Sequence, residues 1–151
     1  MAELGEQETY PQRLYHETPD WVKTGSLFHV RIRAAADQSP ALTQSELATK
    51  IVCAVQNYHE RRIWHCELFL VMPDHIHALL AFPSDRPMAK TIGSWKRYAT
   101  RELGLKWQEN FFDHRIRNDQ FFTEKFSYIM KNPVAKMLCV HEKDWPWTWR
   151  P

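Results

Sequence analysis

The stretch "IWHCELFLVMPDHIHALLAF", Ile63 to Phe82, decides how this chain folds. It holds two apolar runs of strand length, "IWHCELFLVM" and "HIHALLAF". Pro73-Asp74 breaks them, because proline lacks the amide donor and fixes φ. The runs therefore read as two successive strands. The second carries His75 and His77 around Ile76. On a strand, residues i and i+2 point to one side, so both imidazoles share a face and Ile76 takes the other. An apolar strand does not ordinarily carry two imidazoles. Either the pair is structural or it holds something.

Outward from this pair, the pattern repeats in both directions. In "GSLFHVRIRAA", Phe28, Val30 and Ile32 alternate with His29, Arg31 and Arg33, as in a half-buried strand. "SPALTQSELATKIVCAVQNYHERR" has Leu47, Ile51, Ala54, Val55 and Tyr58 at helical spacing, with Thr43 or Ser45 available as N-cap. "RPMAKTIGSWKRYATRELGL" predicts a basic helix ending near Gly104, its apolar face formed by Met88, Ile92, Trp95 and Ala99. "NFFDHRIRND" alternates as a fourth strand. "DQFFTEKFSYIMKN" predicts a helix that stops at Pro133, since the residue before proline avoids the α region. A short helix or turn and an aromatic tail follow. The order β-α-β-β-α-β-α is the split βαβ pattern. The expected fold class is α+β: a ferredoxin-like or RRM-like antiparallel sheet, βαββαβ plus a C-terminal helix, with helices largely on one face. Residues 1–24, with Pro11 and Pro19, read as an extended arm, and 25–151 as a single domain.

Bulk properties agree with one folded domain. The chain has 151 residues, and 44% of them are hydrophobic, enough for a core. No apolar run approaches the roughly 20 residues that span a membrane, and the acidic N-terminus does not resemble a secretory signal. Cys53, Cys66 and Cys139 show no CxxC spacing, which argues against a zinc ribbon or disulfide framework and for a reducing cytoplasm. The net charge of +2 hides an asymmetry: residues 1–85 carry 7 Lys/Arg and 11 Asp/Glu, whereas 86–137 carry 11 and 5. A basic block of this kind suits a polyanion, although a solvated helix face has the same composition.

Two features carry candidate chemistry. Paired neutral imidazoles suit a divalent transition metal. In "SYIMKNPV", Tyr128 and Asn132 lie four apart on a helix and share one face. A tyrosine can attack an electrophile such as phosphorus, and an asparagine can lend its carbonyl oxygen as a third metal ligand. Each feature also has an ordinary reading, as a structural pair, a surface tyrosine or a helix-ending asparagine.

Taken in order, HxH after "VMPD", a basic helix, "WQENFFDHRIRND", "YIMKNPV" and the Trp-rich "DWPW" resemble the REP-associated tyrosine transposases, of the single-strand HUH (His-hydrophobic-His) transposase superfamily. The resemblance covers about residues 25–149. It implies that His75 and His77 are the HUH pair, Tyr128 the nucleophile and Asn132 the polar residue completing the metal site, where glutamine is usual in related insertion-sequence transposases. It implies a Mg²⁺ or Mn²⁺ cofactor, and a substrate of single-stranded DNA folded into short imperfect palindromes. Cleavage and rejoining would run through a 5′-phosphotyrosine. Mixed nitrogen and oxygen ligation favours Mn²⁺, and cellular abundance favours Mg²⁺. DNA contacts are expected from Lys96, Arg97 and Arg101 on one helix and Arg115 and Arg117 on one strand face. The tryptophans Trp95, Trp107, Trp145, Trp147 and Trp149 could stack bases, although packing is their commoner role. His114, on the opposite face from Arg115, is expected in the core or behind the site residues, the core being the commoner place, and His29, His59, His65 and His141 have no partner legible in sequence. The expected setting is the bacterial cytoplasm, nucleoid-associated, as monomer or homodimer. Two rivals remain: a catalytically silent hairpin-binding module, and a metal nuclease that activates water.

Overall fold

The computed structural model describes residues 18–22 and 26–151. The elements are β1 (Leu27–Arg33), α1 (Ser45–Glu60), β2 (His65–Val71), β3 (His75–Ala81), α2 (Met88–Leu103), β4 (Phe112–Ile116), α3 (Asp119–Ala135), a single 3₁₀ turn (Glu142–Asp144) and β5 (Thr148–Trp149). All strand pairings are antiparallel, in the order β4-β1-β3-β2-β5. The first four strands have the ferredoxin-like order, and the fold class is α+β as expected.

The quoted stretch forms the centre of the sheet. β2 and β3 are buried along their whole length, since helices cover both faces; such strands read as continuous apolar runs rather than alternating ones. The hairpin closes through Met72 N–H to His75 O at 2.8 Å. Ala34 N–H bonds Asp74 O, and Leu42 N–H bonds Pro73 O, so the Pro73-Asp74 turn is fixed by the chain leaving β1.

Two helices, α1 and α2, cover one face, packing Ile51, Val55, Ile92 and Trp95 with Val30, Ile32, Ile76, Ala78 and Leu80. On the other face, α3 packs Phe122, Phe126 and Ile129 with Leu27, Leu68, Leu79, Ala81 and Ile116. His75 and His77 have the parity of Leu79 and Ala81, so they face α3.

Local details differ from the sequence reading in four places. The α1 N-cap is Gln44, whose side chain accepts from Leu47 N–H at 2.9 Å, rather than Thr43 or Ser45. α3 does not stop at Pro133 but runs through it to Ala135. Proline costs a helix one amide hydrogen bond, and here that loss falls in the last turn. Bonds from Met137 N–H to Val134 O and Leu138 N–H to Pro133 O close the end. His114 is exposed on the edge strand β4 rather than in the core. The tail adds an unexpected strand, β5, pairing Trp149 with Phe69 and Thr148 with Leu70.

The tryptophans pack. Trp95 is in the core, Trp107, Trp147 and Trp149 lie against it, and Trp145 donates its indole N–H to Val71 O at 3.0 Å. α2 ends at Gly104 with φ 71°, a left-handed cap that favours glycine. Of the expected arm, residues 18–22 are described: Val22 N–H bonds Pro19 O, and Val22 is buried in the α3-side core. Residues 1–17 and 23–25 lie outside the described residues.

Candidate active site under the third helix

Period-two alternation on β3 aims His75 and His77 at α3, and α3 brings Tyr128 of the same chain to meet them. The Tyr128 ring packs edge-on against His77, with centroids 5.9 Å apart, and against His29 at 6.2 Å. Tyr128 is nonetheless 50% exposed, so its phenol is held by the histidines and open to solvent at once. On its outer side Tyr128 lines a groove of about 510 Å³ with Thr123, Ser127, Lys131 and Asn132. The histidines do not line that groove; ring packing of Tyr128 joins the two halves.

The histidines form a hydrogen-bonded chain. Asp74 Oδ1 lies 2.7 Å from His75 Nδ1, His75 Nε2 lies 3.1 Å from His77 Nε2, and His77 Nδ1 lies 3.0 Å from His29 Nε2. Asp74 is held below the usual carboxylate range, chiefly by its hydrogen bond from His75. As a carboxylate it only accepts, so His75 Nδ1 donates. Burial keeps all three rings neutral. It pulls His77 down from 6.5 to about 2, with His75 and His29 adding to the effect. It pulls His29 to about 4, helped by Lys125 and Arg31. Burial lowers His75 too, against the opposing pull of Asp74.

The donor set fits a divalent cation. Two nitrogens at right angles, each about 2.1 Å from a common ion, lie about 3.0 Å apart, close to the Nε2 separation seen here. Each of the two rings is fixed through its other nitrogen, by Asp74 for His75 and by His29 for His77, the outer support that metal-binding histidines use. Asn132 is one turn beyond Tyr128, and its buried Oδ1 has no hydrogen-bond partner among the described residues. Among those residues no group of three His, Cys, Asp or Glu is arranged to hold a metal ion; Asn132, which lines the groove with Tyr128, is the amide that the resemblance puts forward as a third ligand.

Basic side chains divide between the two faces. Register places Arg31 opposite His77 and Arg33 opposite His75, so both flank the histidine pair. The Arg31 guanidinium lies 5.0 Å over the Phe112 ring, and Arg33 is exposed. The five cations singled out from sequence lie elsewhere. Lys96, Arg97 and Arg101 are on α2, across the sheet. Lys96 Nζ is engaged by the carbonyls of Gln108 and Glu109, and Arg101 pairs with Glu102. Arg115 pairs with Phe28 in the sheet, on the face away from the histidines, and Arg117 follows the end of β4.

His29, Arg31 and Arg33 are the site residues that sequence reading left out. Their alternation put them on one face of β1, but only the β1–β3 register shows that this face carries His75 and His77. The other histidines are satisfied or exposed: His65 bonds Glu67 at 2.8 Å, His59 Nδ1 accepts from Cys66 N–H, and His141 is exposed.

No family model matches the chain. A REP-associated tyrosine transposase of Escherichia coli (strain K12) is 27% identical over 132 residues, covering 85% of this chain and 78% of that protein. A putative REP-associated tyrosine transposase of Haemophilus influenzae is 32% identical over 95 residues, 52% of this chain and 54% of that protein's length. A solved REP-associated tyrosine transposase bound to a REP hairpin shares the fold, with a TM-score of 0.69 and 22% identity over 82% of this chain and 74% of that one. The chain is similar in sequence to REP-associated tyrosine transposases and shares the fold of a solved one. Among the described residues no helix is long and apolar enough to cross a membrane.

Proposed function

We propose that this protein cleaves and rejoins hairpin-forming single-stranded DNA through a 5′-phosphotyrosine on Tyr128, with a divalent cation held by His75, His77 and Asn132. The observation that carries this reading is the packing of an accessible Tyr128 onto His77, beside two imidazole nitrogens 3.1 Å apart. The solved relative bound to a REP hairpin supports DNA hairpins as the substrate class.

The residues would act as follows. A bound Mg²⁺ or Mn²⁺ would supply Lewis-acid polarisation of the scissile phosphate; zinc would also bind two imidazoles and is expected to inhibit. Arg31 and Arg33 hold the flanking phosphates electrostatically. Tyr128 Oη attacks phosphorus in line. The Oη–P bond forms as the P–O3′ bond breaks, and the departing oxygen leaves as a 3′-hydroxyl. Attack by another 3′-hydroxyl reverses the step and rejoins DNA without ATP, because the phosphotyrosine conserves the phosphodiester bond. One hard exchange is thus split into two through a covalent intermediate. Lys96, Arg97, Arg101, Arg115 and Arg117 would contact DNA that extends around the sheet.

The test uses labelled hairpin single-stranded DNA with Mn²⁺. The proposal expects cleavage with an SDS-resistant protein–DNA adduct, both abolished by EDTA. Cleavage with no adduct would favour a water-activating nuclease. Binding with no cleavage would favour a silent hairpin-binding module.

A further inference from the structure

The chain Asp74–His75–His77–His29 has only one self-consistent set of protons when no cation is bound. Asp74 accepts, so His75 carries its proton on Nδ1 and offers a lone pair at Nε2. His77 must then donate from Nε2 across the 3.1 Å contact. Being neutral, it is left with a lone pair at Nδ1, so His29 donates from Nε2 across 3.0 Å. Two ligating Nε2 atoms are incompatible with that arrangement, because His77 Nε2 would carry a hydrogen.

We infer that cation binding reverses the tautomers of His77 and His29 together, making His29 the positioning residue that prepares His77 as a ligand. The inference rests on the metal site proposed above. One proton leaves His77 Nε2 for solvent, one passes along the hydrogen bond from His29 Nε2 to His77 Nδ1, and one is taken up from solvent at His29 Nδ1. The charge of the histidine chain does not change. His29 Nε2 then accepts from His77 Nδ1–H, the support that orients a metal-bound imidazole. Three observations carry this: His29 is 2% exposed, its ring is stacked on His77 with centroids 5.2 Å apart, and its Nδ1 is buried without a partner among the described residues. That free position lets either tautomer of His29 exist without breaking a second hydrogen bond. A metal-supporting carbonyl or carboxylate can only accept; a histidine here can donate to empty His77 and accept from loaded His77.

Ring ¹⁵N–¹H spectra of the ¹⁵N-labelled protein, with and without diamagnetic Zn²⁺ as probe, test it. Without Zn²⁺, His77 and His29 are expected as Nε2–H tautomers and His75 as Nδ1–H. With Zn²⁺, all three are expected as Nδ1–H. If the Nε2 signals of His75 and His77 respond while His29 keeps Nε2–H, the coupling is wrong and the metal site stands. If neither ligand responds, both readings fail. An independent measure is Mn²⁺ affinity from the EPR signal of free Mn²⁺. His29→Ala should bind roughly 10–100-fold more weakly, and His29→Gln, which keeps an acceptor, should recover most of the loss. Wild-type affinity in His29→Ala would overturn the inference.

Discussion

At the scale of single residues, the site depends on neutral histidines. His29 and His77 are held by burial at about 4 and about 2, against 6.5 for a free imidazole. Below 6.5 the unfolded chain takes up protons that the folded one refuses. Stability of the metal-free protein is therefore fully present above 6.5 and falls as pH drops toward 4, with His77 extending the loss lower. Urea midpoints at pH 7.5 and 5.5, where few carboxylates titrate, should show this decline, and His29→Gln should make it shallower; a midpoint that rises on acidification would contradict it. The HxH pair and Tyr128 were legible in sequence because strand and helix periods fix which side chains share a face. The partnership of His29 with His77 was not. It joins residues 48 apart through a cross-strand diagonal, and no local pattern encodes register between β1 and β3.

At the scale of elements, α3 decides whether the site exists. Its stripe of Phe122, Phe126 and Ile129 is what presses Tyr128 onto the histidines. Ile129→Ala should cost about 2–5 kcal/mol, seen in the denaturant midpoint, and should weaken cleavage beyond the loss of folded protein. Gly104→Ala should cost about 1 kcal/mol through the left-handed backbone alone, since an added Cβ would meet nothing within 4 Å; cleavage by the folded fraction should not change. All four principal strands and all three helices followed from periodicity and breakers. The misreadings have local causes. Pro133 was given the weight it has in a helix interior, yet it falls in the last turn. β5 is two residues long, and its partner Phe69 lies 80 positions away, so it leaves no period to detect.

At the scale of the whole molecule, charge is divided by the sheet. Arg31 and Arg33 stand beside the histidines, and the α2 cations stand behind. If the scissile phosphate lies on the α3 face, Arg33→Ala should lower the salt dependence of single-stranded DNA binding by about 0.7 in log–log slope, the contribution of one phosphate contact, and should also slow cleavage. Arg97→Ala should lower affinity while leaving cleavage at saturating DNA near wild type. The reverse pattern would put the reacting strand on the wrong face. Tyr128 meets histidines of its own chain. The most direct measurement is mass spectrometry of the trypsin-digested adduct. Cleavage after Lys125 and Lys131 yields the peptide Phe126–Lys131, "FSYIMK", whose sole tyrosine is Tyr128. The expected result is a nucleotide mass on that peptide, absent in Tyr128→Phe; the same mass on a peptide bearing another tyrosine, or an adduct that persists in Tyr128→Phe, would contradict the assignment.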